Sequence, residues 1–290
     1  MSFDKLTIVG AGLLGGSLGL AAKERGLAKR VTALVRRPES VSECQALGVA
    51  DEVTLDEAEA ISGADLIVLC TPVASMAGLA KRWLQHLKNG AVVTDVGSTK
   101  RQLVDELTPM IAGAGAHFVG SHPMAGSAQA GPSAARADLF DGAVCVVTPT
   151  DATDATALNF VNEFWEKLGS EPVTMSADNH DQLVARCSHL PHLLASALAR
   201  RVLDPSHGEL QKQLCATGFR DMSRLASGSP VMWRDIVRSN REAILEVIDE
   251  YSAELDQLRQ LISEDSSEAI EGWLDDAKHA RDEWSAPDAD

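Results

Sequence analysis

Six short apolar runs punctuate the first half of the chain: KLTIVG (5–10), RVTALV (30–35), DLIVLC (65–70), AVVTDVG (91–97), AHFVG (116–120) and GAVCVVTP (142–149). Most are apolar at nearly every position rather than at alternate ones. That pattern predicts strands buried on both faces, as in a parallel sheet. The segments between them, GGSLGLAAKERG, SVSECQALG and MAGLAKRWLQHLKNG, have helical spacing and stop at glycine. Strands alternating with helices predict an α/β, doubly wound sheet.

The pattern changes near residue 175. SADNHDQLVARCSHLPHLLASALARRVL reads as one long helix, with Asp178 or Asn179 as its cap. MWRDIVRSNREAILEVIDEYSAELDQLRQLI reads as another, with apolar residues three and four apart. The last stretch, SEDSSEAIEGWLDDAKHARDEWSAPDAD, is acidic and is expected to be solvated surface fraying into a Pro/Ala/Asp tail. The expected division is therefore a domain over 1–175 and an all-α domain over 176–290. The helical half holds more apolar surface than one small domain needs, which points to a homodimer formed through it.

Composition narrows the partners. The chain has 290 residues, 45% hydrophobic, and a formal net charge of −16, which argues against nucleic acid and anionic membranes. No apolar stretch is long enough to span a bilayer, and MSFDKLTIVGAG lacks the features of a signal peptide. The five scattered cysteines (Cys44, Cys70, Cys145, Cys187, Cys215) include no CxxC pair. Their odd number points to a reducing compartment, hence a cytoplasmic location, and not to a metal site.

VGAGLLGGS places Gly10, Gly12 and Gly15 directly after the first strand, opening a helix. In that context GxGxxG permits the tight turn, the close approach of backbone to a pyrophosphate and close helix–strand packing. This marks a Rossmann-type dinucleotide site, with the helix N-terminus, through Leu13 and Leu14, facing the phosphates. Thr71 and Pro72, after the third strand, are expected beside the cofactor. The second strand ends LVRRPES, so Val35 stands where an NAD site usually presents an acid, followed by Arg36 and Arg37. Two guanidiniums suit a 2′-phosphate, so NADP is the expected cofactor, with NAD as the alternative.

Ligands of such sheets lie beyond the carboxyl ends of the strands. CTPVAS, DVGSTK and GSHPMAGS place Thr71, Ser98, Lys100 and His122 on that rim. Pro123 pushes His122 toward extended geometry, stiffening it at the end of the AHFV strand. A near-neutral imidazole can take a hydroxyl proton while the adjacent carbon gives up hydride. Ser98 is expected to hold that hydroxyl or orient the imidazole.

GLLGGSLGLA, DVGSTK, GSHPMAGS, HDQLVARCSHLPHLLA and GFRDMSRLASGSPVMWRDI together resemble, in that order, the motifs of prephenate/arogenate dehydrogenases, over about residues 5–260. The resemblance implies oxidative decarboxylation of a cyclohexadienyl acid in tyrosine biosynthesis, with the ring becoming aromatic. It implies His122 as the catalytic histidine, Ser98 as its partner and Arg224 as the ligand of a substrate carboxylate. It also implies that His192, Asp221 and Trp233 shape the pocket, and Ser121 is expected at the substrate beside His122. Residues 220–241 independently hold five arginines (Arg220, Arg224, Arg234, Arg238, Arg241) against two acids, which suits a dicarboxylate.

His189 and His192 lack a completing metal-ligand set, and His180 with Asp181 reads as a helix-start network. His86, His117, His207 and His279 read as structural or surface residues. Many family members carry Glu or Gln after GSHPMAGS, where this chain has Ala128 and then Gln129. The missing acid leans toward the keto acid prephenate over the amino acid arogenate, and a dual specificity stays open. The regulatory or fused domains of some relatives are not expected in a chain of this length, so inhibition by tyrosine is expected only at the active site. A β-hydroxyacid dehydrogenase and a non-catalytic NADP-binding protein are the remaining alternatives.

Overall fold

The computed structural model describes residues 3–126 and 129–285. Ala128 and the acidic tail after Ser285 lie outside the described residues. The chain forms two compact units, 1–241 and 242–290.

The first unit opens with β1 (Phe3–Val9), α1 (Leu13–Glu24), β2 (Ala28–Leu34), α2 (Pro38–Ala46), β3 (Glu52–Thr54), α3 (Glu57–Ile61), β4 (Leu66–Leu69), α4 (Val73–Trp83), β5 (Val92–Asp95), α5 (Arg101–Ala112) and β6 (His117–Phe118). All six strands are parallel, in the order β3-β2-β1-β4-β5-β6. This is the doubly wound order in which a dinucleotide crosses the carboxyl ends of the strands. The wholly apolar strands are covered on both faces, and β4 is buried along its full length. β3 and α3 escape the pattern reading because three and five residues carry too little periodicity.

AHFVG is not one strand. The chain leaves the first sheet after Phe118 and enters a second at Gly120, as β7 (Gly120–Pro123), followed by β8 (Val144–Thr148), α6 (Ala155–Lys167) and β9 (Glu171–Thr174). The second sheet runs β7-β8-β9, with β7 antiparallel and β9 parallel to β8. Pro123 lies in β7, an edge strand, where a missing amide donor is tolerated. His122 is therefore a strand residue and not the tip of a loop. Trp165 of α6 is fully buried, edge-on to Phe140 and Phe164, and joins the core under both sheets.

The rest of this unit is helical: α7 (Ala177–Val184), α8 (Leu190–Val202), α9 (Gly208–Gln213), α10 (Thr217–Ser223) and α11 (Pro230–Ser239). The long helix expected from residue 175 is broken by a π-helical turn at Ala185–His189. Pro191 follows it and cannot donate into a regular α ladder, so the wider turn accommodates the proline. The cap is Ser176, whose Oγ accepts the Asn179 amide at 3.1 Å, and not Asp178 or Asn179. The second long helix also breaks, at Asn240, whose side chain turns inward.

The last helices are α12 (Arg241–Ser263) and α13 (Ser267–Ser285). Of the stretch expected to fray, 267–285 is helical, although no residue in it is buried. Within the second unit Trp273 Nε1 donates to Glu254 Oε1 at 2.7 Å, tying α13 to α12. Among the described residues no helix is long and apolar enough to cross a membrane.

Candidate active site

The turn from β1 into α1 is built for close approach. Gly10 has φ +98°, and a Cβ there would lie 2.8 Å from Thr71 Cγ2. A Cβ on Gly15 would lie 2.0 Å from the Gly10 carbonyl oxygen, so only glycine lets α1 dock on β1. A Cβ on Gly12 would meet nothing within 4 Å, so this point of the turn faces open space. The first amides of α1, at Leu13 and Leu14, have no partner within the helix and point out of its N-terminus. Thr71 Oγ1 is buried without a protein partner. Open space at Gly12, free helix-end donors and an orphaned hydroxyl fit a dinucleotide pyrophosphate. Pro72 is exposed at the N-cap of α4. Arg36 and Arg37 stand exposed after β2, with buried Val35 before them.

The DVGSTK loop follows β5. Ser98 is half-buried. Lys100, expected on the rim, is fully buried below it, because Nζ pairs with Asp95 Oδ2 and donates to the Ser121 carbonyl at 2.9 Å. Ser121, expected at the substrate, is also turned away. Successive strand residues face opposite sides, so a β7 that presents His122 to the site hides Ser121. Ser121 Oγ donates to the Asp95 carbonyl at 2.6 Å, lies 2.7 Å from Thr94 Oγ1 and accepts Trp165 Nε1 at 3.0 Å.

His122 faces α7. Its Nδ1 lies 2.8 Å from His180 Nε2, and His180 Nδ1 lies 2.7 Å from Asp181 Oδ1. Asp181 also accepts the amides of Lys100 at 2.8 Å and Arg101 at 3.0 Å, pinning α7 to the start of α5. The partner of His122 Nδ1 is thus His180. Burial, and then the neighbouring His180, Lys100 and His189, hold the His122 imidazole well below the usual histidine range. Sequence reading missed this pairing because His180 is 58 residues away. The adjacent HD dipeptide was the only signal, and it fits a local network equally well.

His192 and Trp233 come together, their rings stacked at 3.5 Å and 9°. A Cβ on Gly228 would lie 2.6 Å from Trp233 Nε1 and 2.8 Å from His192 Cε1, so the SGSP turn backs this stack. His189 is held at Nδ1, 3.1 Å from Asn240 Nδ2, which also donates to the Asp181 carbonyl at 2.8 Å. Asp221 and Arg224, at the end of α10, are exposed, and Arg234 is engaged with Asp235.

Two family descriptions match the sequence in tandem. The nucleotide-binding domain of prephenate dehydrogenase matches residues 18–174, and its dimerization domain matches 176–276. A prephenate dehydrogenase of Bacillus subtilis is 33% identical over 285 residues, spanning 96% of this chain and 76% of that protein. A cyclohexadienyl dehydrogenase of Zymomonas mobilis is 34% identical, spanning 95% of this chain and 94% of the relative. The crystal structure of prephenate dehydrogenase from A. aeolicus, in complex with hydroxyphenyl propionate and NAD+, superposes with a TM-score of 0.92. It is 31% identical and covers 98% of this chain and 99% of that one.

Proposed function

This chain belongs to the prephenate dehydrogenase family, and from that premise we propose that it converts prephenate to 4-hydroxyphenylpyruvate by oxidative decarboxylation. It is a nicotinamide-dependent dehydrogenase. The observation that carries the substrate chemistry is the half-buried His122 imidazole, bonded at Nδ1 and held in its neutral form.

The dinucleotide supplies the hydride acceptor. Gly10, Gly12, Gly15, Leu13 and Leu14 hold its pyrophosphate, with Thr71 and Pro72 alongside. Arg36 and Arg37 take a 2′-phosphate, so NADP is preferred over NAD. His122 Nε2 accepts the proton of the 4-hydroxyl as the ring carbon bearing that hydroxyl gives up hydride. The ring carboxylate leaves as CO₂, and its bonding pair flows through the ring to the former hydroxyl oxygen. That oxygen takes a proton back from His122. The base returns to its neutral form, and the reaction releases no net proton. Ser98 holds the hydroxyl. Arg224 grips a carboxylate through its two-pronged guanidinium, and His192, Trp233 and Asp221 wall the side-chain end of the pocket.

Residues 1–175 serve the dinucleotide, and 176–290 serve the substrate and a homodimer. Exposed Leu210, Leu214, Met222 and Val231 in the first unit, and Leu255, Ile262 and Leu274 in the second, supply apolar surface for a second copy. The scattered, unpaired cysteines support a cytoplasmic location.

The test is NAD(P)H absorbance with prephenate or arogenate, each with NADP+ or NAD+. Turnover of prephenate with NADP+ is expected, and Arg36→Ala should raise the KM for NADP+ but not for NAD+. His122→Asn should lower kcat by about 10²–10⁴-fold with dinucleotide binding retained. Turnover of arogenate alone would overturn the substrate assignment. Full activity in His122→Asn would overturn the base.

A further inference from the structure

We propose that buried His180 and Asp181 are positioning residues for His122, forming an Asp–His–His relay that sets which nitrogen of the base is free. The inference rests on the assignment of His122 as the base.

The tautomers follow from the chain of contacts. An ionised carboxylate can only accept hydrogen bonds. Asp181 Oδ1, 2.7 Å from His180 Nδ1, therefore fixes the His180 proton on Nδ1. His180 Nε2 is then a lone pair, and at 2.8 Å it accepts the Nδ1–H of His122. His122 Nε2 is left bare, which a proton acceptor requires. The rings meet edge to face, with centroids 5.1 Å apart at 70°, a geometry that holds the plane of His122 as well as its tautomer.

The relay is rigid at its inner end. Asp181 is held by the Lys100 and Arg101 amides, and its own carbonyl is held by Asn240. His180 and Asp181 are 1% and 4% exposed, so water does not compete for these bonds. When Nε2 takes the substrate proton, the positive charge on His122 is drawn toward the Asp181 carboxylate through His180. Lys100 opposes that charge, and its ion pair with Asp95 moderates the opposition.

The alternative is a purely structural pair that ties α7 to α5. Asp181 makes that tie through its backbone-amide contacts, so His180 is the residue to vary. His180→Leu keeps the volume but cannot accept from Nδ1–H. His180→Gln can accept through Oε1. The relay predicts that His180→Leu lowers kcat by about 10²-fold, with the dinucleotide Kd, substrate KM and melting temperature near wild type. His180→Gln should recover a substantial part of that loss. Nitrogen NMR of labelled histidine should show Nδ1-protonated His122 in the wild type and a mixed tautomer in His180→Leu.

Equal kcat in both variants and the wild type would overturn the relay. So would a loss in His180→Leu that Gln does not rescue, or one that tracks only melting temperature. His122→Asn run alongside separates the two readings. If it is inactive while His180→Leu is fully active, the base stands and the relay falls. If it is fully active, the base itself falls.

Discussion

His122 shows how much one residue's chemistry depends on groups far from it in sequence. Burial is the largest influence on its imidazole, followed by His180, Lys100 and His189, and all of them disfavour the charged form. Its folded pKa lies below the ordinary value of 6.5, so the base is already deprotonated at neutral pH. The expected initial-rate profile of kcat/KM is flat through neutral pH and falls only well below 6.5, as His122 takes up a proton. An acid limb centred at or above 6.5 would contradict this. The histidine itself was readable from its Pro and Gly neighbours and from the motif around it. Ser121 faces the core, a direction its motif did not reveal because a motif gives adjacency without giving faces. Lys100 was misplaced because a lysine in a polar loop gives no sign of the carboxylate waiting five residues back.

At the scale of elements, regular segments were legible and interruptions were not. The parallel strands β1, β2, β4 and β5 follow from unbroken apolar runs that need cover on both sides. The π-helical turn before Pro191 and the break at Asn240 depend on contacts that no periodicity encodes. Those two interruptions bring His189 and Asn240 together, and burial lowers the His189 pKa to about 4. A histidine that is neutral when folded and has a pKa near 6.5 when unfolded stabilises the fold above 6.5. That contribution drains away as pH falls from 6.5 toward 4, at up to about 1.4 kcal/mol per pH unit. In urea titrations His189→Gln should therefore lose stability less steeply than the wild type across that window. An unchanged slope would mean that the His189 imidazole is charged inside the fold.

At the scale of the molecule, the α/β and helical halves were visible as a change of texture near residue 175, while compactness divides the chain at 241/242. Domain reading follows composition, whereas compactness follows packing: α7 packs on α5 and β8, and α11 on α4. The exposed apolar side chains of the helical half predict a dimer. Sedimentation equilibrium should return twice 30.8 kDa, with a melting temperature that rises with protein concentration. A 30.8 kDa species at every concentration would leave those side chains unexplained. The crossing from the first sheet to the second has a further consequence for the whole molecule. One residue, Val119, separates β6 from β7, and strand faces alternate with period two. The active site therefore has a parity: deleting or adding a single residue at this crossing would send Ser121 outward and bury His122. Evolution can lengthen the loops around this enzyme freely, but at Val119 it can count only in twos.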